Sequence, residues 1–129
     1  VGVYLSDKEN VDIMMLGGRL VVKSLSVRDS YTQDGLKYVN CSKMFCSCDG
    51  LDVEAGVTTA FVEEARITDA MMNTASKIIL LADSSKIGKS GYGKICDLGR
   101  IDILITDAGI PQSVKERIEE EGVQVIIAE

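Results

Sequence analysis

Hydrophobic residues in this chain fall into short blocks separated by glycines and carboxylates, and the blocks differ in period. Residues 78–82 (IILLA) form a continuous apolar run, the pattern of a strand buried on both faces at the centre of a parallel sheet. Residues 11–16 (VDIMML) read as the first clear strand, closed by Gly17-Gly18. Residues 19–26 alternate loosely and are expected to return as a second strand around that Gly-Gly turn. Residues 29–39 make a weak helix, spoiled by Gly35, and residues 44–48 (MFCSC) a short strand that stops at Asp49-Gly50. The strongest helix spans residues 61–75. Thr58 or Thr59 is expected to cap it, Glu63 and Glu64 occupy its first turn, and Phe61, Ala65, Met72 and Ala75 share one face. Residues 92–98 suggest a short extended segment, and residues 101–106 (IDILIT) a strand that ends at Asp107, with Ala108 and Gly109 after it. Pro111 sits early in a helix over residues 112–121, where its missing N–H costs little, with Val114 and Ile118 facing inward. Residues 123–127 supply a last strand. Strands and helices alternating in this way predict an α/β domain with a largely parallel sheet.

Composition narrows the class without naming a function. The chain has 129 residues, enough for one domain with a real core, and 46% hydrophobic with 26% charged residues is ordinary globular composition. A net charge of −6 argues against a nucleic-acid surface within this chain, because phosphate backbones demand clustered Lys and Arg. No apolar run approaches a membrane span. The chain begins at Val1 with neither an initiator Met nor a signal-peptide pattern, as expected of a fragment of something longer. Cys41, Cys46, Cys48 and Cys96 miss the paired spacing of structural zinc sites, and the chain has no His. Buried reduced thiols are the expectation, which suits a cytoplasmic protein.

The chemistry gathers where strands end. After Asp83 come Ser84, Ser85, Lys86, Gly88, Lys89, Ser90, Gly91 and Gly93. Open α/β sheets bind ligands at the carboxyl ends of their strands. Two lysines, several hydroxyls and glycines that permit close backbone approach suit a small polyanion such as a phosphorylated sugar. The same residues would equally serve as a solvated, glycine-rich surface loop. If the strands ending at Asp49 and Asp83 are neighbours in one parallel sheet, the two carboxylates face the same crevice. Asp107 and Gly109 repeat the pattern and are read as a turn. Thr58 and Thr59 either cap the helix or line the crevice.

The order MLGGRL (residues 15–20), KSLS (23–26), CDGLD followed by GVTT (48–52, 56–59), ILLADSSKIGKSGYGK (79–94) and IDILITDAGIP (101–111) resembles the effector-sensing domain of DeoR-family bacterial transcription regulators. The likeness runs from about Asn10 to the C-terminus. It implies a Rossmann-like, mostly parallel sheet flanked by helices and related to ribose-5-phosphate isomerase. It implies a phosphorylated sugar or sugar acid as effector, operator DNA bound only through a separate N-terminal winged helix-turn-helix domain, and self-association into a homo-oligomer. No cofactor and no metal are expected. The family's Asp-x-x-Lys falls on Asp83 and Lys86. Asp49, Gly50, Thr58, Thr59, Ser84 and Ser85 complete the expected ligand-binding set. Ser47-Cys48-Asp49-Gly50 stands where the family usually reads Gly-Ala-Asp-Gly, a bulkier approach to the site. The family's first strand and its Gly-Thr-Thr loop would precede Val1. The expected role is therefore that of a ligand sensor, with no catalytic residues. The alternatives are a sugar-phosphate isomerase, which would need Asp52 or Glu54 as second carboxylate beside Asp49, and a ligand-free oligomerisation domain.

Overall fold

The computed structural model describes residues 2–22, 25–28 and 30–128, with the side chains of residues 28, 30 and 31 left out of account. From Met44 onward the chain alternates strands and helices. The strands are β3 (Met44–Ser47), β4 (Gly50–Asp52), β5 (Gly56–Thr59), β6 (Ile78–Leu81), β7 (Gly93–Cys96), β8 (Ile103–Thr106) and β9 (Gln124–Ile127). The helices are α3 (Val62–Met72) and α4 (Gln112–Glu120), joined by 3-10 turns at Ser84–Lys86 and Leu98–Arg100. Before them lie α1 (Gly2–Leu5), a hairpin of β1 (Arg19–Val21) and β2 (Ser26–Arg28), and α2 (Ser30–Leu36), which packs on α3.

Two sheets carry the fold. β3, β6, β8 and β9 form a four-stranded parallel sheet in that order, and β4, β5 and β7 form a three-stranded antiparallel one. Parallel neighbours need long crossovers: α3 lies in the one from β3 to β6, β7 with the two 3-10 turns in the one from β6 to β8, and α4 in the one from β8 to β9. Leu51, Val57, Leu80, Leu104, Ile118 and Val123 are all within 2% of full burial, so the core lies between the parallel sheet, the antiparallel sheet and the helices. This is the expected α/β architecture with a mostly parallel sheet, Rossmann-like in form.

Several expectations change. Residues 11–16 form no strand: Met14 and Met15 are 71% and 74% exposed, and no neighbouring strand among the described residues pairs with them. A lone extended segment leaves its amides unpaired, so an apolar run is not sufficient for a strand. Residues 19–26 do not return on that segment. β1 and β2 instead pair with each other, Leu20 opposite Val27, and residues 23–24 lie outside the described set. Leu81 is 43% exposed, so the run from Ile78 is not buried on both faces throughout. Helix α3 stops at Met72 and is preceded by Phe61, which is exposed and provides no side-chain cap. Thr58 and Thr59 are not caps, because both lie inside β5 with hydroxyls committed elsewhere. The inward face of α3 is Ala65, Ile67, Thr68 and Met72. Helix α4 begins at Gln112 as expected, with Pro111 at the position that caps it rather than inside its first turn.

Candidate functional site

Register brings the strand-ending aspartates together. Ser47 pairs with Leu81, and Leu81 pairs with Ile105. Each of these residues is followed, two positions later, by an aspartate: Asp49, Asp83 and Asp107. Three carboxylates therefore stand in a row along the carboxyl edge of adjacent parallel strands. Asp49 and Asp83 meet there, and Asp107, whose sequence pattern is that of a turn, joins them.

Each aspartate accepts backbone N–H groups beyond its strand, Asp49 and Asp107 from a different segment and Asp83 from the turn that follows it. Asp49 Oδ2 accepts from Ala60 N at 2.8 Å and from the Thr59 hydroxyl at 2.8 Å, which holds the entry to α3 against the end of β3. Thr59 Oγ1 also lies 3.2 Å from Glu64 Oε2, and its single proton favours the shorter contact. Asp83 Oδ1 accepts from Ser85 N at 2.9 Å, capping the 3-10 turn. Asp107 Oδ2 accepts from Ser84 N at 2.6 Å and its Oδ1 from Gly109 N at 2.8 Å. The Ser85 hydroxyl and amide hold Asp83 below the ordinary carboxylate range, and the Ser84 amide and hydroxyl with the Gly109 amide do the same for Asp107.

Those bonds change what the turn can offer a ligand. Lys86 N donates to Asp83 O at 3.0 Å, Ile87 N to Ser84 O at 3.2 Å and Gly88 N to Leu51 O at 2.8 Å. Every amide from Ser84 to Gly88 thus has an internal acceptor. An anion here meets side chains, not a cradle of N–H groups. Among the described residues Lys86 and Lys89 enter no ion pair, and Lys86 stands close enough to the row to favour the charged form of Asp83.

Gly50 and Thr58 play a different part. A Cβ at Gly50 would run into the Lys89 carbonyl and come within 2.9 Å of Thr58 Oγ1. Thr58 is 3% exposed, and its hydroxyl donates to Gly50 O at 3.1 Å and accepts from Gly91 N at 2.8 Å. Both residues clamp the loop that carries Lys89 onto the antiparallel sheet. The expected set is therefore gathered at one edge but divides by role. Asp83, Ser84, Ser85 and Lys86 form the turn, Asp49 and Thr59 the neighbouring wall, and Gly50 and Thr58 the support.

A cleft of about 440 Å³ runs beside β3 and reaches the row at Asp49 and Thr59, with Glu64, Met71 and Phe45 along its walls. Asp83 and Lys86 do not line it. Cys48 does, and burial pushes its thiol up to about 11, helped by Asp49 and Asp83 and opposed by Lys86 and the Gly50 amide. Burial likewise raises Cys46 to about 12 and Cys96 to about 11. Such thiols are poor nucleophiles and pack as small hydrophobes.

Residues 1–108 match the profile of the DeoR C-terminal sensor domain. The chain belongs to that family. Over 95% of its length it is 37% identical to a candidate aga operon transcriptional repressor of Escherichia coli O157:H7, covering 46% of that protein. It is 30% identical over 98% of its length to the HTH-type transcriptional regulator GlpR of Haloferax volcanii, covering 49% of it. It is 31% identical over 97% of its length to the HTH-type transcriptional repressor GlcR of Bacillus subtilis, covering 48%. The DeoR-type sensor domain described here spans about half the length of the curated relatives it matches. Its aspartate row and the Ser84–Lys86 turn fall inside the matched residues.

Proposed function

We propose that this DeoR-type sensor domain binds a phosphorylated sugar or sugar acid at the carboxyl edge of its parallel sheet. The observation that carries the reading is the register that sets Asp49, Asp83 and Asp107 side by side, with Lys86, in no ion pair among the described residues, on the adjoining turn. Carboxylates accept hydrogen bonds from sugar hydroxyls, and a flexible ammonium is a point-charge partner for phosphate or carboxylate. Ser84, Ser85 and Thr59 add hydroxyls to the same edge. In the regulator that carries the domain, the ligand favours one arrangement of the sensing domains over another and so alters the hold of a separate DNA-binding domain on its operator. The size of that shift is set by the ligand's differential affinity for the two states.

An isomerase reading loses its second acid. Asp52 Oδ1 accepts from Glu54 N and Ala55 N at 2.9 Å each, tying the β4–β5 turn, and Glu54 lies exposed beside Arg117. Neither carboxylate joins the row. A thermal-shift screen of sugar phosphates tests the proposal on the chain and on the intact regulator. Ligand at 100 times its dissociation constant adds about 2.7 kcal/mol of apparent stability. A shift seen with the native protein, abolished by Lys86→Ala and Asp83→Ala and with the ligand recovered unchanged, supports a sensor. Conversion of the ligand, or no response across the panel, sinks the reading.

A further inference from the structure

The geometry points to Asp107 as the positioning residue of the ligand-binding turn, a role distinct from contact with the ligand. The inference rests on the sensor reading above for its consequence, but its structural half stands apart from it. A 3-10 turn of three residues has little to hold it: its own bonds are Lys86 N to Asp83 O and Ile87 N to Ser84 O. Asp83 adds one cap, at Ser85 N. The remaining amide, Ser84 N, would point away from any partner in the turn, and Asp107 takes it at 2.6 Å from the neighbouring strand.

Asp107 is itself held from two sides. β8 is hydrogen-bonded into the sheet up to Thr106, whose carbonyl accepts from Ala128 N at 2.7 Å, so the residue leaves a rigid strand end. Gly109 N grips its other oxygen at 2.8 Å. Gly109 also packs so closely that a Cβ there would collide with Ser84 Oγ and come within 2.8 Å of Asp107 Oδ1. Carboxylate and glycine together make a socket for Ser84. Because Ser84 sits two residues before Lys86 in a short hydrogen-bonded turn, the socket sets where the Lys86 backbone stands and from where its side chain reaches. Asp83, which caps the turn, stands within electrostatic reach of both Lys86 and the Asp107 carboxylate.

The test uses the full 129-residue chain, native and with Asp107→Ala, Asp107→Asn and Gly109→Ala, by NMR. Two readouts are taken: amide exchange at Ser84 and in the core at Leu80 and Leu104, and titration with inorganic phosphate and ribose 5-phosphate followed at Lys86. Asp107→Ala is expected to cost Ser84 its protection by about tenfold or more, the worth of a bond to a charged acceptor, while Leu80 and Leu104 keep theirs. It should weaken phosphate-ester binding by a similar factor. Asp107→Asn retains a carbonyl oxygen for Ser84 N and should restore most of the loss. Gly109→Ala, whose methyl presses on Ser84 Oγ and on Asp107 Oδ1 while the carboxylate itself is kept, should reproduce the alanine phenotype. Unchanged Ser84 protection in Asp107→Ala overturns the inference, as does loss spread evenly over Leu80 and Leu104, which would mark a merely global effect. If the native chain answers neither anion, the sensor reading fails, and Ser84 exchange alone still decides whether Asp107 positions the turn.

Discussion

The two ends of the parallel sheet use the same bond for different ends. At the amino end Asp102, just before β8, accepts from Ile78 N at 2.7 Å, donates its own N–H to Ile78 O at 3.1 Å and accepts Gln124 N at its carbonyl at 3.0 Å. Its carboxylate simply extends the ladder by one rung. At the carboxyl end the three carboxylates leave the ladder: Asp49 and Asp107 reach amides of other segments, Ala60 and Ser84, and Asp83 caps its own following turn at Ser85. Lysines flank β6 at both ends, Lys77 before it and Lys86 after it. Only Lys86 stands beside a row of three carboxylates and a loop rich in hydroxyls. A carboxylate–amide bond therefore closes the sheet at one end and shapes a surface at the other.

That contrast can be attacked from the most damaging change downward. Gly50→Ala puts a methyl against the Lys89 carbonyl and Thr58, both held by backbone, so urea unfolding should show a loss of about 1–3 kcal/mol, with ligand response lost as well. Asp102→Ala should cost about 1 kcal/mol in the same assay and leave ligand affinity untouched; an affinity loss would show that the two ends are not independent. Acid should melt the carboxyl-end turn before the sheet. Asp83 and Asp107 have folded values lowered from 3.8, so their support is complete above that pH and is lost as pH falls through the lowered values. Amide shifts of Ser84 and Ser85 followed by NMR should move with midpoints below 3.8, and midpoints above it would contradict the hydrogen bonding described. Lys86→Ala should be the quietest in stability, within about 0.5 kcal/mol of native, since Lys86 makes no ion pair among the described residues.

How much of this was legible in the chain depended on whether a pattern needed neighbours. The run at Ile78 and the block at Met44 are both strands, because each finds a partner in the other. Residues 11–16 carry as good an apolar pattern and form no strand, since periodicity reports which face is buried and not whether a pairing edge exists. The meeting of Asp49 and Asp83 followed from two strands ending alike, and the same signal at Asp107 was available and undervalued. Thr58 and Thr59 show the limit of local chemistry. A threonine before a helix suggests a cap, but Thr58 is tied to Gly91 across the antiparallel sheet, a long-range contact that no local spacing announces. The capture of the Ser84 and Gly88 amides was likewise hidden, because Asp107 and Leu51 lie far away along the chain.

The most direct test sets the two lysines of β6 against each other. Calorimetric titration of a responding sugar phosphate into the native chain, Lys86→Ala and Lys77→Ala compares one cation at each end of the same strand. Binding that survives Lys77→Ala and vanishes with Lys86→Ala is the predicted result. Equal affinity in all three, or equal loss in both variants, would contradict a site at the carboxyl edge.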